Sequence, residues 1–148
     1  MRIIASVYLE LLSAFPPVPP EAGGILGSGD GGLTVTHFIY DAGTPFPDRA
    51  VYVPNIPMLN EIIRSLAAKG VRFCGMVHSH PPAQKTLSND DKAYMRQIMR
   101  SMPDDVNKLY FPLVIPNAAV IPFSMRRRNG AITEENLEVI AFARGGGS

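Results

Sequence analysis

The sequence predicts a single α/β domain with a mixed, mainly antiparallel sheet flanked by helices. The chain of 148 residues is long enough for one hydrophobic core and too short for two ordinary domains. Its hydrophobic fraction of 46% is typical of a globular protein. Segments with strand periodicity and segments with helix periodicity are mixed along the chain without strict alternation, which predicts this class.

The first helix and the first strands follow from the pattern of the first forty residues. Apolar residues from Val7 to Phe15 recur at helical spacing and Pro16 ends the pattern, so we predict a helix over Ala5–Ala14. A short strand is predicted at Ile25–Gly27. After a turn rich in glycine, the alternating, β-branched stretch Leu33–Tyr40 predicts a second strand.

The middle of the chain combines a long connection with a second helix. The stretch Asp41–Pro57 carries four prolines, which indicates an irregular excursion with one edge strand at Ala50–Val53. Apolar residues at helical spacing predict a helix over Met58–Ala68, and Gly70 lies where that helix would end.

The second half of the chain predicts a buried strand, a long helix and further strands. The buried strand is Val71–His78, and the helix begins at Ser88, runs to about Met102 and is followed by Pro103. The further strands are Leu109–Ile115, Ala119–Met125 and Val139–Arg144. The predicted domain spans residues 1–144, and residues 145–148 form a flexible Gly/Ser tail of the kind that linkers have.

Composition and charge exclude several classes of partner. A formal net charge of +1 argues against nucleic acid, and the basic run Arg126–Arg128, followed by Asn129-Gly130, is typical of a solvated hairpin tip. The uncharged stretch Leu11–Pro20 is too short and too rich in proline to span a membrane. The single cysteine, Cys74, cannot form an internal disulfide, so we expect a cytoplasmic protein.

Two histidines at the end of the predicted buried strand form a candidate metal site. Residues two apart on a strand point the same way, so His78 and His80 face one side and Ser79 faces the other. A lone histidine on a strand is more often structural. Two of them in an H-x-H pattern beside Pro81 favour a metal site.

Two carboxylates have weaker signals when each is taken alone. Asp91 lies three residues after Ser88, a spacing that is typical of a helix capping box, and it could also turn back as a third metal ligand. Two imidazoles, one carboxylate and an open fourth position are most compatible with Zn²⁺. Glu21 precedes a turn, where an isolated glutamate is usually a surface residue.

Taken together, these residues resemble the signature of the JAMM (MPN-plus) zinc metalloproteases. Glu21, then His78-Ser79-His80-Pro81, then Ser88 and Asp91 match the family motif, with seven residues between His80 and Ser88. The flanking residues Gly24–Gly27 and Gly75 also resemble the family. The resemblance extends from the first helix to about Arg127. Family members often carry an aromatic pair where this chain has Met76-Val77.

The resemblance implies a role for each residue within a single MPN-type domain. His78, His80 and Asp91 would hold Zn²⁺ with a water in the open position. Glu21 would be the general base that takes the proton of that water, and Ser88 would donate a hydrogen bond to the developing oxyanion. Ser88 is also the predicted helix cap, and these two uses of one hydroxyl are in conflict.

The resemblance also implies a substrate and partners. The family usually cleaves an isopeptide or peptide bond after the C-terminal tail of ubiquitin or a ubiquitin-like protein, and such a tail enters as an extended strand. Compact members occur in bacteria, where some accompany activating and conjugating enzymes, including those of anti-phage systems. We therefore expect a ubiquitin-like protein or its conjugates as partner, and neither nucleic acid nor a membrane.

Two other functions remain open at this point, and a third is excluded by distance. The same zinc site would serve a hydrolase that processes a sulfur-carrier protein. A non-catalytic MPN scaffold is a second alternative, although inactive members usually lack several of the ligands that this chain has. A thiol protease would use Cys74 and His78 on one strand face, but four residues along a strand span about 13 Å, which is too far for proton transfer.

Overall fold

Three helices flank a mixed, mostly antiparallel sheet in the computed structural model, which describes residues 1–17, 21–43 and 56–141. This confirms the predicted fold class. The helices are α1 (Ala5–Ala14), α2 (Ile56–Ala68) and α3 (Asn89–Ser101). No helix within the described ranges has the length and apolar character needed to cross a membrane.

The strands form one large sheet and one small sheet. The strands are β1 (Arg2–Ile4), β2 (Gly23–Ser28), β3 (Thr34–Val35), β4 (His37–Asp41), β5 (Arg72–Ser79), β6 (Lys108–Tyr110), β7 (Leu113–Ile115), β8 (Ala119–Ile121), β9 (Phe123–Arg126), β10 (Ile132–Glu134) and β11 (Glu138–Ile140). In the described part of the chain the large sheet has the order β10-β9-β6-β5-β2-β4, and β7 pairs with both β5 and β8. The small sheet has three strands in the order β11-β1-β3.

Two hydrophobic clusters lie on opposite faces of the central strands. Leu26 and Val77 pack in the cluster that contains Val7 and Leu11 of α1. The neighbouring residues on the same two strands, Ile25 and Met76, pack in a second cluster with buried residues of α2 and α3. Since successive strand residues point to opposite faces, α1 covers one face of the sheet, and α2 and α3 cover the other.

A β-bulge interrupts the pairing of β2 with β5. Leu26 pairs with Gly75 but Gly27 pairs with Phe73, so Cys74 is the extra residue. The backbone at Gly75 has φ 157°, and a Cβ there would lie 1.8 Å from the carbonyl oxygen of Tyr110. The bulge therefore depends on a glycine at this position, because β6 approaches it too closely for any side chain.

The C-terminal end of α2 and the N-terminal end of α3 lie where the sequence predicted them, within one residue. Gly70 has φ 76°, and Val71 N–H donates to Leu66 O while Gly70 N–H donates to Ala67 O. This pair of bonds is a Schellman motif that ends α2 where Gly70 predicted. At α3 the predicted capping box is present, with Ser88 as the N-cap.

Several strand predictions were wrong in their boundaries. The predicted strand Leu33–Tyr40 is two strands, because Thr36 N–H turns away to donate to Gly27 O. Leu109–Ile115 is interrupted at Pro112, and Ala119–Met125 is interrupted at Pro122, since proline has no N–H for the ladder. Strands β1 and β10 were not predicted. The edge strand at residues 50–53, the end of the last strand at 142–144 and the tail at 145–148 lie outside the described residues.

The basic run is a hairpin turn, as predicted, but one of its arginines is half-buried and binds the protein backbone. Arg127 donates from Nε to Val106 O and from Nη2 to Met99 O, Met102 O and Pro103 O. Its guanidinium thus binds carbonyl groups at the C-terminal end of α3, where the helix leaves such acceptors unpaired.

Candidate metal centre

The two histidines of the H-x-H pattern meet at the end of β5. Their Nε2 atoms lie 3.1 Å apart, and their rings are nearly perpendicular, with an interplanar angle of 74°. Ser79, between them, points away and is fully enclosed, as the alternation predicts. Strand geometry alone therefore brings two imidazole nitrogens to one point.

The capping box of α3 holds the third candidate ligand, the carboxylate of Asp91, beside the two histidines. Asp91 N–H donates to Ser88 Oγ at 3.0 Å, and Ser88 N–H donates to Asp91 Oδ2 at 2.8 Å. The carboxylate held in this way lies with Oδ1 3.3 Å from His78 Nε2 and Oδ2 3.2 Å from His80 Nε2. The cap and the third ligand are thus the same residue, and the two interpretations of Asp91 are compatible.

A backbone carbonyl orients the ring of His80. The turn after the strand closes with Gln84 N–H donating to Pro81 O, and it brings Gln84 O to 3.0 Å from His80 Nδ1. A carbonyl can only accept, so Nδ1 carries the proton in the neutral ring and the lone pair is on Nε2. This is the tautomer in which His80 can bind a metal through Nε2.

The electrostatics of the cluster favour a cation at its centre. Burial works to raise the pKa of Asp91, but hydrogen bonds from His78 and His80 outweigh it and lower that pKa. Burial likewise works to lower the pKa of His80, but Asp91 and the charge of Glu21 outweigh it and raise that pKa. The carboxylates therefore favour positive charge at His80, and the hydrogen bonds from the two rings favour the ionised form of Asp91.

The donor set fits a divalent metal ion. His78, His80 and Asp91 each offer one ligand atom, and these atoms lie within 4.8 Å of one another. Two imidazole nitrogens with a carboxylate oxygen suit zinc and other first-row metals.

Glu21 lies beside the cluster. Its Oε2 is 4.0 Å from His80 Nε2, and its side chain is 12% exposed. The next residue, Ala22, is bound to Ser79 of β5 by three hydrogen bonds: Ser79 N–H donates to Ala22 O, Ser79 Oγ donates to the same oxygen, and Ala22 N–H donates to Ser79 Oγ. These bonds fix the backbone that carries Glu21 against the strand that carries the histidines.

The hydroxyl of Ser88 can serve in two ways at once. In the capping box its oxygen accepts the Asp91 N–H through a lone pair. The hydroxyl proton is not used by that bond, so Ser88 keeps a donor for a second partner. The conflict expected from the sequence is therefore absent.

Cys74 is placed away from these groups. The bulge turns it into the cluster under α1, on the face opposite to His78, so the expectation that the two share a strand face was wrong. Complete burial, with a smaller contribution from Asp30, raises the pKa of its thiol to about 12, and a thiol in that state is a poor nucleophile.

Two groups around the centre were missed from the sequence. From the sequence, Ser79 was expected only to face away from the histidines. A serine within a buried strand needs a hydrogen-bond partner, and this need is the signal that could have identified it. Gln84 orients His80 through its backbone carbonyl, and a backbone contact cannot be predicted from a pattern of side chains.

Solved structures share this fold, although no family model matches the sequence and no curated protein is similar to it. Protein DSY2949 from Desulfitobacterium hafniense is 17% identical with a TM-score of 0.65, over 97% of this chain and 96% of that one. AF2198, a JAB1/MPN domain protein from Archaeoglobus fulgidus, is 17% identical with a TM-score of 0.51, over 95% and 96%. A protein from Salinibacter ruber is 15% identical with a TM-score of 0.54, over 95% and 92%. At this identity the likeness establishes an MPN-type fold.

Proposed function

We propose that this protein is a zinc-dependent peptidase or isopeptidase that cleaves after the C-terminal tail of a ubiquitin-like protein. The observation that carries the proposal is the position of Glu21, whose carboxylate lies 4.0 Å from a nitrogen of the His78–His80–Asp91 cluster. Three ligand groups with a further carboxylate beside them are what metal-assisted hydrolysis of an amide requires.

His78, His80 and Asp91 would hold the metal. When bound, Zn²⁺ supplies Lewis-acid chemistry, since it lowers the pKa of a water molecule to roughly 7 and polarises a carbonyl group. The hydrogen bond of His80 to Gln84 O and the capping bonds of Asp91 keep these side chains in position, so little reorganisation is needed on binding.

Glu21 would act as the general base and then as the general acid. Its carboxylate accepts a proton from the water whose oxygen attacks the scissile carbonyl carbon. As the carbon–nitrogen bond breaks, the same proton passes to the leaving amine, which departs neutral. The bonds between Ala22 and Ser79 hold Glu21 within reach of this water.

Ser88 would stabilise the negative charge that develops on the carbonyl oxygen. The proton of its hydroxyl is available, because the capping box uses only the oxygen as an acceptor. Loss of one such donor typically costs about 2.7–4 kcal/mol of barrier.

The edge of β4 would receive the tail of the ubiquitin-like protein. Within the described residues β4 ends the large sheet, pairs with β2 along one side, and brings Asp41 opposite Gly23, two residues after Glu21. An extended glycine-rich tail can add to such an edge through main-chain hydrogen bonds and lead its last residue toward the centre.

A panel of substrates tests the proposal. Zinc-loaded protein is incubated with linear fusions and isopeptide conjugates of several ubiquitin-like proteins, and with a sulfur carrier joined to an amino acid. We expect cleavage after the tail of at least one ubiquitin-like protein, and none by the Glu21→Gln variant. Cleavage of the sulfur-carrier conjugate alone, or of no substrate at full zinc occupancy, would contradict the proposal.

A further inference from the structure

A cavity lies between α3 and the β9–β10 hairpin. Its volume is about 380 Å³, and it is lined by Thr86, Leu87, Lys92, Arg96, Phe123 and Ile132. We call it the α3–hairpin groove. Leu87, Phe123 and Ile132 belong to the apolar cluster under α3, so the floor of the groove is hydrophobic.

The rim of the groove carries two cations from one helix. Lys92 and Arg96 are four residues apart on α3, so they lie on the same helix face. Arg100, a further four residues along, extends this row. Within the residues that the structure describes, neither Lys92 nor Arg96 makes an ion pair within 4.0 Å.

This arrangement disfavours the isolated helix. Like charges four residues apart repel each other, and Lys92 stands near the N-terminal end of α3, where the helix dipole disfavours a cation. A carboxylate bound between Lys92 and Arg96 offsets the repulsion between them. The charge pattern is therefore complementary to an acidic ligand.

Three residues that line the groove are close in the chain to residues of the candidate centre. Thr86 and Leu87 lead directly into Ser88, and Lys92 follows Asp91. In the large sheet β5 lies between β2 and β4 on one side and β6, β9 and β10 on the other. The groove is on the hairpin side, away from Glu21 and from the β4 edge that would receive the tail.

We propose that the α3–hairpin groove binds an acidic segment of the substrate on the leaving-amine side of the cleaved bond. Carboxylates of that segment pair with Lys92 and Arg96, and an apolar side chain between them packs on Leu87, Phe123 and Ile132. The assignment of this segment to a substrate rests on the proposed function. The presence of the binding surface does not.

Direct binding tests this inference without turnover. The zinc-loaded Glu21→Gln protein is titrated with a fluorescein-labelled hexapeptide of alternating glutamate and leucine, and with its glutamine–leucine counterpart. We expect the acidic peptide to bind, to shift the NMR signals of Leu87, Phe123 and Ile132, and to bind at least about tenfold more tightly than the neutral peptide.

Two double variants distinguish an effect of the groove cations on binding from an effect of the net charge of the protein. In the same background, Lys92→Ser with Arg96→Ser should weaken binding of the acidic peptide about tenfold. Arg64→Ser with Lys69→Ser, which removes two exposed cations at the end of α2, should leave it nearly unchanged. Equal loss in both pairs, equal binding of both peptides, or shifts confined to other surfaces would overturn the inference.

The outcomes for the two proposals are distinguishable. If the groove binds the acidic peptide but no ubiquitin-like substrate is cleaved, the proposed function fails and the binding surface stands. If substrates are cleaved but the peptide binds elsewhere or not at all, the groove inference fails and the proposed function stands.

Discussion

At the scale of single residues, the centre depends on groups that meet from three separate segments. The histidines come from the end of β5, Asp91 from the first turn of α3, and Glu21 from the approach to β2. The H-x-H pattern and the Ser88–Asp91 spacing were readable because strand alternation and helix capping are local rules. The position of Glu21 depends on pairing between β2 and β5, which no local rule provides.

Glu21→Gln should abolish cleavage while zinc remains bound. The amide has nearly the same size but cannot accept the proton of the attacking water, and general-base catalysis typically contributes about 10²–10⁴-fold. The turnover number and the zinc content of the purified variant measure the two effects. Near-normal turnover would remove Glu21 from the role of base, and loss of zinc would make it a ligand.

Ser79→Ala should lower the turnover number and leave KM and zinc content nearly unchanged. The substitution removes the hydroxyl that both accepts from Ala22 N–H and donates to Ala22 O, and so loosens the backbone next to Glu21. A buried polar group left unpaired typically costs about 1–3 kcal/mol of stability.

Ser79→Thr is the matched control, because it restores a hydroxyl on a β-branched side chain that suits a strand. It should recover both stability and turnover. A loss of stability in Ser79→Ala without any change in turnover would show that Ser79 supports the fold alone.

At the scale of the elements, helices were easier to predict than strands. The periodicity, Gly70 and the Ser88–Asp91 box define α2 and α3 locally, and the structure places their ends within two residues of the prediction. Strand β1 has three residues and pairs with β11 at the other end of the described chain, so its existence depends on a contact that sequence patterns do not contain. Pro112 and Pro122 indicate the two strand breaks, because proline cannot donate to a ladder. The apolar residues on both sides of each proline favoured one continuous strand instead.

The bulge in β5 could not be read from the sequence. Cys74-Gly75 continues the apolar run without a visible interruption, and the extra residue is apparent only from the register with β2. As a consequence, Cys74 faces the side of the sheet opposite to His78.

Gly75→Ala should destabilise the protein by about 1–3 kcal/mol, because the new Cβ would overlap the Tyr110 carbonyl and push β5 from β6. Denaturant unfolding measures this change. Gly29→Ala is the control, since a Cβ there meets only Thr36 Oγ1 at an ordinary 3.5 Å. Equal stability of the two variants would contradict the described packing at the bulge.

At the scale of the whole molecule, Glu135 joins distant segments. Its carboxylate contacts the ammonium of Met1 at 3.1 Å and Lys108 Nζ at 2.5 Å. Burial works to raise the pKa of Glu135, but these contacts outweigh it and lower that pKa to about 2. Because the folded-state pKa lies below the ordinary value, the stabilisation is complete at neutral pH and is lost as the pH falls from about 4.5 toward 2.

Glu135→Gln should therefore reduce the free energy of unfolding at pH 7 and flatten its decline between about pH 4.5 and 2. Urea unfolding at several pH values measures the slope. Glu138→Gln, which removes a carboxylate from an exposed ion pair with Arg2, should change the slope far less. Parallel pH curves for the wild type and Glu135→Gln would contradict the predicted linkage.

The proposed chemistry of the whole molecule depends on a metal ion held by two strand histidines and one capping aspartate. The number of zinc ions per chain, measured by elemental analysis after metal-replete expression, tests this directly. We predict about one zinc per chain in the wild type and almost none in His80→Ala, because loss of one of three ligands removes the site. Less than about a tenth of an equivalent in the folded wild type, or equal zinc in both proteins, would contradict the proposed metal centre.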